Sequence, residues 1–172
     1  MNYKQKIRNI PDFPQKGIIF RDITPLLEDP YIFQGAVNDL VEKVGDMKID
    51  KVVGIDARGF ILAGILADRL RVGMVMIRKK GKLPYETESE EFDLEYGKAT
   101  LEIHRDSIKA GERILLVDDV LATGGTMEAT IKLVKKLKGQ IAGIVFLVIL
   151  DYLAGRERLK NYNLISLINY TE

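Results

Sequence analysis

The chain has 172 residues, with 26 basic side chains against 25 acidic ones and no cysteine. That balance gives no electrostatic case for a nucleic-acid binder, and the missing thiols exclude disulfides and thiolate metal sites. The longest apolar run, residues 141–150, is too short to cross a bilayer as a helix. No apolar core follows Met1 to Lys6, so no signal peptide is expected. A single domain over residues 1–172 in a reducing cytoplasm is the expectation.

Residues 3–9 read as a short helix. A loop with two prolines follows, Ile10 to Gly17, and then a short extended segment, Ile18-Ile19-Phe20. Phe20 beside Arg21 suits stacking on a flat base, though composition alone favours a plug for the core. Arg21 to Leu27 is a turn and a helical start. Asp29-Pro30 is an N-cap with proline at the first helical position. Apolar residues then recur at helical spacing from Ile32 to Val44. Lys51 to Ile55 is a strand ending in Asp56-Ala57-Arg58-Gly59, with a helix from Phe60 to Leu70. Arginine at a helix start is a candidate anion site.

Residues 73–77 form the next strand and enter a basic turn, Arg78-Lys79-Lys80-Gly81-Lys82-Leu83-Pro84. Tyr85 to Phe92 is acidic and poor in apolar residues. The stretch reads as a mobile lid or hairpin over an active site, or else as a solvated basic turn. Alternation over 91–95 and 99–104, around Tyr96-Gly97-Lys98, predicts an antiparallel β-arm. His104, the only histidine, stands at its end with no assigned role.

The most informative stretch is Ile114 to Thr126. Four β-prone apolar residues, Ile114 to Val117, precede two acids, Asp118 and Asp119, and a turn into Thr123-Gly124-Gly125-Thr126. Free N–H groups at the start of the following helix, together with its dipole, form a phosphate cradle. Acids at a strand end repel phosphate and suit donors instead, either the vicinal hydroxyls of a ribose or a Mg²⁺ ion. The combination points to a ribose 5-phosphate. The helix runs from Thr126 to Lys138 with four lysines outward, read as a solvated face, and Gly139 closes it as the C′ residue. Strands at 141–150 and 164–168 complete an alternating pattern. That pattern predicts an α/β fold with a mostly parallel twisted sheet flanked by helices.

The Ile114–Thr126 string resembles the phosphoribosyl-pyrophosphate (PRPP) signature of the type I phosphoribosyltransferases. Asp12-Phe13-Pro14, Gly17 to Pro25, Ala57 to Phe60, Arg78 to Pro84 and Leu94 to Lys98 accompany it in order. The set resembles the adenine-specific branch of that family from about Ile10 onward. The resemblance implies the type I phosphoribosyltransferase fold, with a base-binding hood over 1–30 and a flexible loop and arm over 78–104. It also implies transfer of phosphoribose from PRPP to adenine, giving AMP and pyrophosphate.

By resemblance, Ala122, Thr123, Gly124, Gly125 and Thr126 hold the 5′-phosphate, and Asp118 and Asp119 the ribose. Arg58, Lys79 and Lys82 meet pyrophosphate, and the family's dimer would allow Arg58 to act across the subunit interface. Phe20 stacks on adenine while backbone groups of Ile19 and Arg21 read its edge. Glu95 is the catalytic acid candidate, with Tyr96 beside it. Mg²⁺ is expected on PRPP, pyrophosphate and water without a dedicated protein ligand. A homodimer that binds neither nucleic acid nor membrane is expected. Two alternatives remain at this point: the same scaffold acting on another base such as xanthine, and a PRPP-sensing regulator. The regulator would need a nucleic-acid module for which 172 near-neutral residues leave no room.

Overall fold

The computed structural model describes residues 1–93 and 97–172. Its framework is set by two long apolar strands, β7 (Arg113–Leu121) and β8 (Gln140–Leu150), which pair in parallel. Alternation sends Leu115, Val117, Val145 and Leu147 to one face and Ile114, Leu116, Ile144 and Phe146 to the other. Both faces are covered, so these strands read as continuous apolar runs. β3 (Lys51–Ile55) and β4 (Gly73–Lys79) extend the sheet in parallel on one side, and β9 (Leu164–Tyr170) does so on the other.

On the first face pack α1 (Thr24–Glu28), α2 (Pro30–Val44) and α3 (Gly59–Leu70), through Leu26, Leu40, Leu62 and Leu66. On the second lies α4 (Gly125–Lys136), through Met127, Leu133 and Val134. Asp29 caps α2 as expected, its side chain accepting from the N–H groups of Tyr31 and Ile32. Leu116 is fully buried in the second layer. Its truncation to alanine should cost about 3 kcal/mol, read as a lower denaturant midpoint at unchanged slope.

Three local expectations change, and one open alternative is settled. Residues 3–9 are not one helix. A single 3₁₀ turn, Tyr3–Lys6, gives way to β1 (Arg8–Pro11), which pairs antiparallel with β2 (Ile19–Asp22). Of the readings for the polar segment after Tyr85, the structure takes the hairpin and not the solvated turn. β5 (Thr87–Asp93) pairs along its length with β6 (Lys98–His104), and β6 pairs with β4, so the arm continues the main sheet. The order is β5-β6-β4-β3-β7-β8-β9 among the described residues. The half-buried face of β5 carries Glu88 and Glu90, and these bind cations instead of entering an apolar core. Hydrophobic periodicity therefore fails there.

The lysines of α4 are not all free in solvent, since Lys132 and Lys136 both bind Glu90. Gly139 is not the left-handed residue at the helix end. Lys138 takes that conformation, with φ +63°, and the Gly139 N–H bonds the Val134 carbonyl at 3.0 Å. This is a Schellman closure shifted by one residue. A Cβ at Gly139 would lie 2.8 Å from Val134, so packing requires the glycine there.

Candidate active site

The carboxyl ends of parallel strands leave a crevice into which the following loops project. Here the ends of β3, β7 and β8 and the strand β2 surround one cavity of about 970 Å³. Asp118, Asp119, Ala122, Thr123, Gly125 and Thr126 come from β7 and the start of α4. Arg58 comes from the turn after β3, and Ile19, Phe20 and Arg21 come from β2. Segments separated by a hundred residues thus meet at one site.

Gly124, at φ +89°, occupies the N-cap of α4 without any side-chain cap. The first N–H groups of the helix therefore have no intrahelical partner and stay available to an anion. Gly124 lines a small recess of about 80 Å³ beside the main cavity, shared with Asp118, Thr123 and Thr126. The cradle is braced from behind by the turn leading into α5 (Gly155–Arg158), whose Gly155 N–H bonds the Ala122 carbonyl at 3.1 Å.

The acids are set apart by their surroundings. Asp119 is buried, and its Oδ2 lies 2.6 Å from Arg58 Nε. The N–H is not aligned on that oxygen, which has no hydrogen-bond donor among the described residues. A buried carboxylate oxygen without a donor is a place for a ligand hydroxyl. Asp118 Oδ1 accepts from the Asp119 N–H at 2.9 Å. Burial first, and then the neighbouring Asp119 charge, push the Asp118 carboxyl well above the usual carboxylate range. The start of α3 presses close, since a Cβ on Gly59 would sit 2.8 Å from Asp118 Oδ1.

Phe20 is held edge-on by Phe13, with centroids 5.2 Å apart, and the Arg58 guanidinium lies 5.2 Å from its ring centre. The Arg21 side chain is held by neighbouring residues at the edge of the cavity, which Glu172 also lines. It stacks on Tyr170 at 3.9 Å and donates to Asn9 Oδ1 at 2.7 Å and to the Glu172 carbonyl at 3.1 Å.

Lys79 and Lys82 are exposed and do not line the cavity. Their turn is tied down by Arg78, which contacts Asp56 at 3.2 Å and the Lys82 carbonyl at 3.2 Å, and by the Gly81 N–H on Glu102 at 2.9 Å. His104 also lies away from the cavity and packs edge-on against Tyr85 at 6.1 Å. Glu95 and Tyr96 lie outside the described residues. Sequence reasoning missed Asp56, Phe92, Asp93, Tyr152 and Leu153, all of which line the cavity. The rule that sites gather at strand ends could have found Asp56 and Tyr152, which follow β3 and β8 directly. Phe92 and Asp93 fell within the predicted arm, but nothing local showed that the arm reaches the cavity.

A model of the phosphoribosyl transferase domain matches residues 27–170. Similar proteins include adenine phosphoribosyltransferases of Pseudothermotoga lettingae, 56% identical over 99% of this chain and 100% of the relative, and of Thermotoga maritima, 54% identical over 99% and 98%. Among solved structures, adenine phosphoribosyltransferase of Thermoanaerobacter pseudethanolicus superposes with a TM-score of 0.95 at 49% identity, covering 98% of both chains. The Saccharomyces cerevisiae enzyme, solved with an imino-altritol bisphosphate and adenine, superposes at 0.88 with 37% identity, covering 95% of this chain and 97% of its own. Strand order, cavity and sequence agree that this chain belongs to the phosphoribosyl transferase family, among the adenine phosphoribosyltransferases.

Proposed function

We propose that this chain transfers the 5-phosphoribosyl group of PRPP to adenine, forming AMP and pyrophosphate. The observation that carries this is the convergence on one cavity of an anion cradle, a buried acid pair, an arginine and an aromatic ring. The backbone and hydroxyls of Ala122 to Thr126 take the 5′-phosphate. Asp118 and Asp119 take the ribose hydroxyls. Phe20 supplies a flat face for the base, and the backbone groups of Ile19 and Arg21 read its edge. Residues 1–30 serve as the base-binding hood and residues 78–104 as the loop and arm, within one domain over 1–172.

Adenine N9 attacks the anomeric carbon as the bond from that carbon to the pyrophosphate oxygen breaks. The sugar passes through an oxocarbenium-like state, as in glycoside cleavage. The acid pair stabilises its positive charge, and Arg58 stabilises the departing diphosphate. Glu95, with Tyr96 beside it, takes the proton lost from the base. Lys79 and Lys82 add positive charge to the pyrophosphate side.

Mg²⁺ fits this donor set. Asp118 and Asp119 offer hard oxygens, while no three acidic or histidine side chains converge among the described residues. The ion would be held largely by substrate oxygens and water, where it neutralises the leaving group. A homodimer is supported by three exposed large apolar side chains, Ile61 on α3 and Met74 and Met76 on the neighbouring β4. Sedimentation at micromolar concentration tests the dimer. The family resemblance supports a cytoplasmic setting; among the described residues no helix is long and apolar enough to cross a membrane.

The deciding assay is AMP formation from PRPP, Mg²⁺ and each of adenine, hypoxanthine, guanine and xanthine. AMP from adenine alone is expected. Turnover with xanthine or guanine instead would discard the base-site residues. PRPP binding without turnover on any base would overturn the enzymatic reading.

A further inference from the structure

We propose that Glu90 is a positioning residue for the transfer reaction: by bridging Lys132 and Lys136 it docks the arm strand β5 onto α4. The inference rests on the functional reading above and deepens it. Glu90 Oε1 lies 3.0 Å from Lys132 Nζ and Oε2 lies 2.8 Å from Lys136 Nζ, so one carboxylate grips two successive turns of the helix. Lys136 also donates to the Ser89 carbonyl at 2.6 Å, fixing the strand's backbone beside the side-chain bridge. The Glu90 side chain is only 16% exposed, unlike Glu91, which pairs with Lys98 inside the hairpin at 56% exposure. The two lysines hold the Glu90 carboxyl below the usual range, so it is charged throughout the neutral region.

What the bridge positions follows from the register. Glu88, Glu90 and Phe92 share the half-buried face of β5. Glu88 is held by Arg105 at 3.0 Å, and Phe92 packs on the apolar layer under α4. Phe92 and the Asp93 carbonyl reach the first residue of α4, within 3.6 Å and 3.5 Å of where a Gly125 Cβ would stand. The strand that leads into Glu95 is therefore pinned to the helix whose N-terminus forms the phosphate cradle. Its last described residues close one wall of the cavity. The bridge stands two helical turns behind the cradle and touches no cavity residue, so it acts through the strand and not on the ligand.

The test compares wild-type enzyme with Glu90→Gln, which keeps the shape and removes the charge. Glu90→Gln should lower kcat about tenfold while the PRPP dissociation constant and the unfolding midpoint stay near wild type. Amide exchange over residues 87–93 should quicken without change in α4. Lys132→Met, which removes one end of the bridge and leaves Lys136 on the Ser89 carbonyl, should lower kcat and quicken exchange over 87–93 in the same direction. Unchanged kcat and exchange in Glu90→Gln would overturn the proposal, as would a Lys132→Met variant that behaves like wild type. A wild-type protein without turnover on any base would instead overturn the functional reading, and with it the role given to the bridge. Unchanged exchange in Glu90→Gln would overturn the docking itself in either case.

Discussion

Replacing Gly155 with alanine is expected to weaken PRPP binding by at least about a hundredfold and to destabilise the fold by roughly 3 kcal/mol. Gly155 itself does not line the cavity, and the effect is steric. A Cβ at Gly155 would stand 2.3 Å from the Ala122 carbonyl oxygen, and 2.8 Å and 2.9 Å from two carbons of Leu121. The first clash is with backbone, which cannot rotate aside. Relief requires the 122–124 segment to move, and Gly124 is itself at close quarters, its own Cβ position lying 3.1 Å from Gly155 Cα. The Gly155 N–H to Ala122 carbonyl bond, 3.1 Å long, would be lost in the same displacement. The N–H groups of the cradle need their aim within a fraction of an ångström to bind phosphate well. PRPP titration by calorimetry reads the affinity, and urea unfolding reads the stability. An alanine variant that binds PRPP like the parent would show that the cradle does not depend on this turn.

The same close approach explains what the sequence could and could not tell. Residues 114–126 carry their meaning locally: an apolar run, two acids, a glycine pair and a helical period fall within one strand-turn-helix unit. Lys51–Ile55, Asp29 and the β8 run were equally legible, because the forces that shape them act between near neighbours or follow from burial alone. Gly155 looked like any loop glycine, since its constraint comes from a backbone more than thirty residues earlier. β5 was legible only at its end, from Glu91 onward, for a related reason. Its inward face is acidic, and only the tertiary fold brings Arg105, Lys132 and Lys136 to Glu88 and Glu90. Nothing near Arg21 in the sequence foretells that Tyr170, Asn9 and Glu172 hold its side chain, because all three arrive from other parts of the chain. Local pattern found the chemistry, while long-range contacts decide which way each group points.

Asp118→Asn should pull activity and stability in opposite directions. The native carboxyl is held well above the usual carboxylate range by burial and by the Asp119 charge. A raised native pKa means that the folded protein binds this proton more readily than the unfolded chain does. The group's favourable contribution is therefore present at low pH and is lost as pH rises through the native pKa. Above that point the fold carries two neighbouring carboxylates at the cavity wall. Asparagine keeps the volume and keeps an oxygen able to accept from the Asp119 N–H, as Asp118 Oδ1 does at 2.9 Å. It removes the charge whose confinement is unfavourable. The variant should match the parent in acid and exceed its stability by roughly 1 kcal/mol at pH 8, with the gap in Tm opening between those limits. The transfer should fall about a hundredfold in kcat/KM, because a neutral amide gives the oxocarbenium-like sugar much less stabilisation than a carboxylate. Thermal melts at pH 3, below the ordinary carboxylate range, and at pH 8, paired with AMP formation at the higher pH, check both halves. A Tm gap independent of pH would mean that Asp118 is not the group carrying the raised proton affinity. Undiminished turnover would remove its charge from the reaction and leave Asp119, beside Arg58, as the carboxylate that faces the sugar.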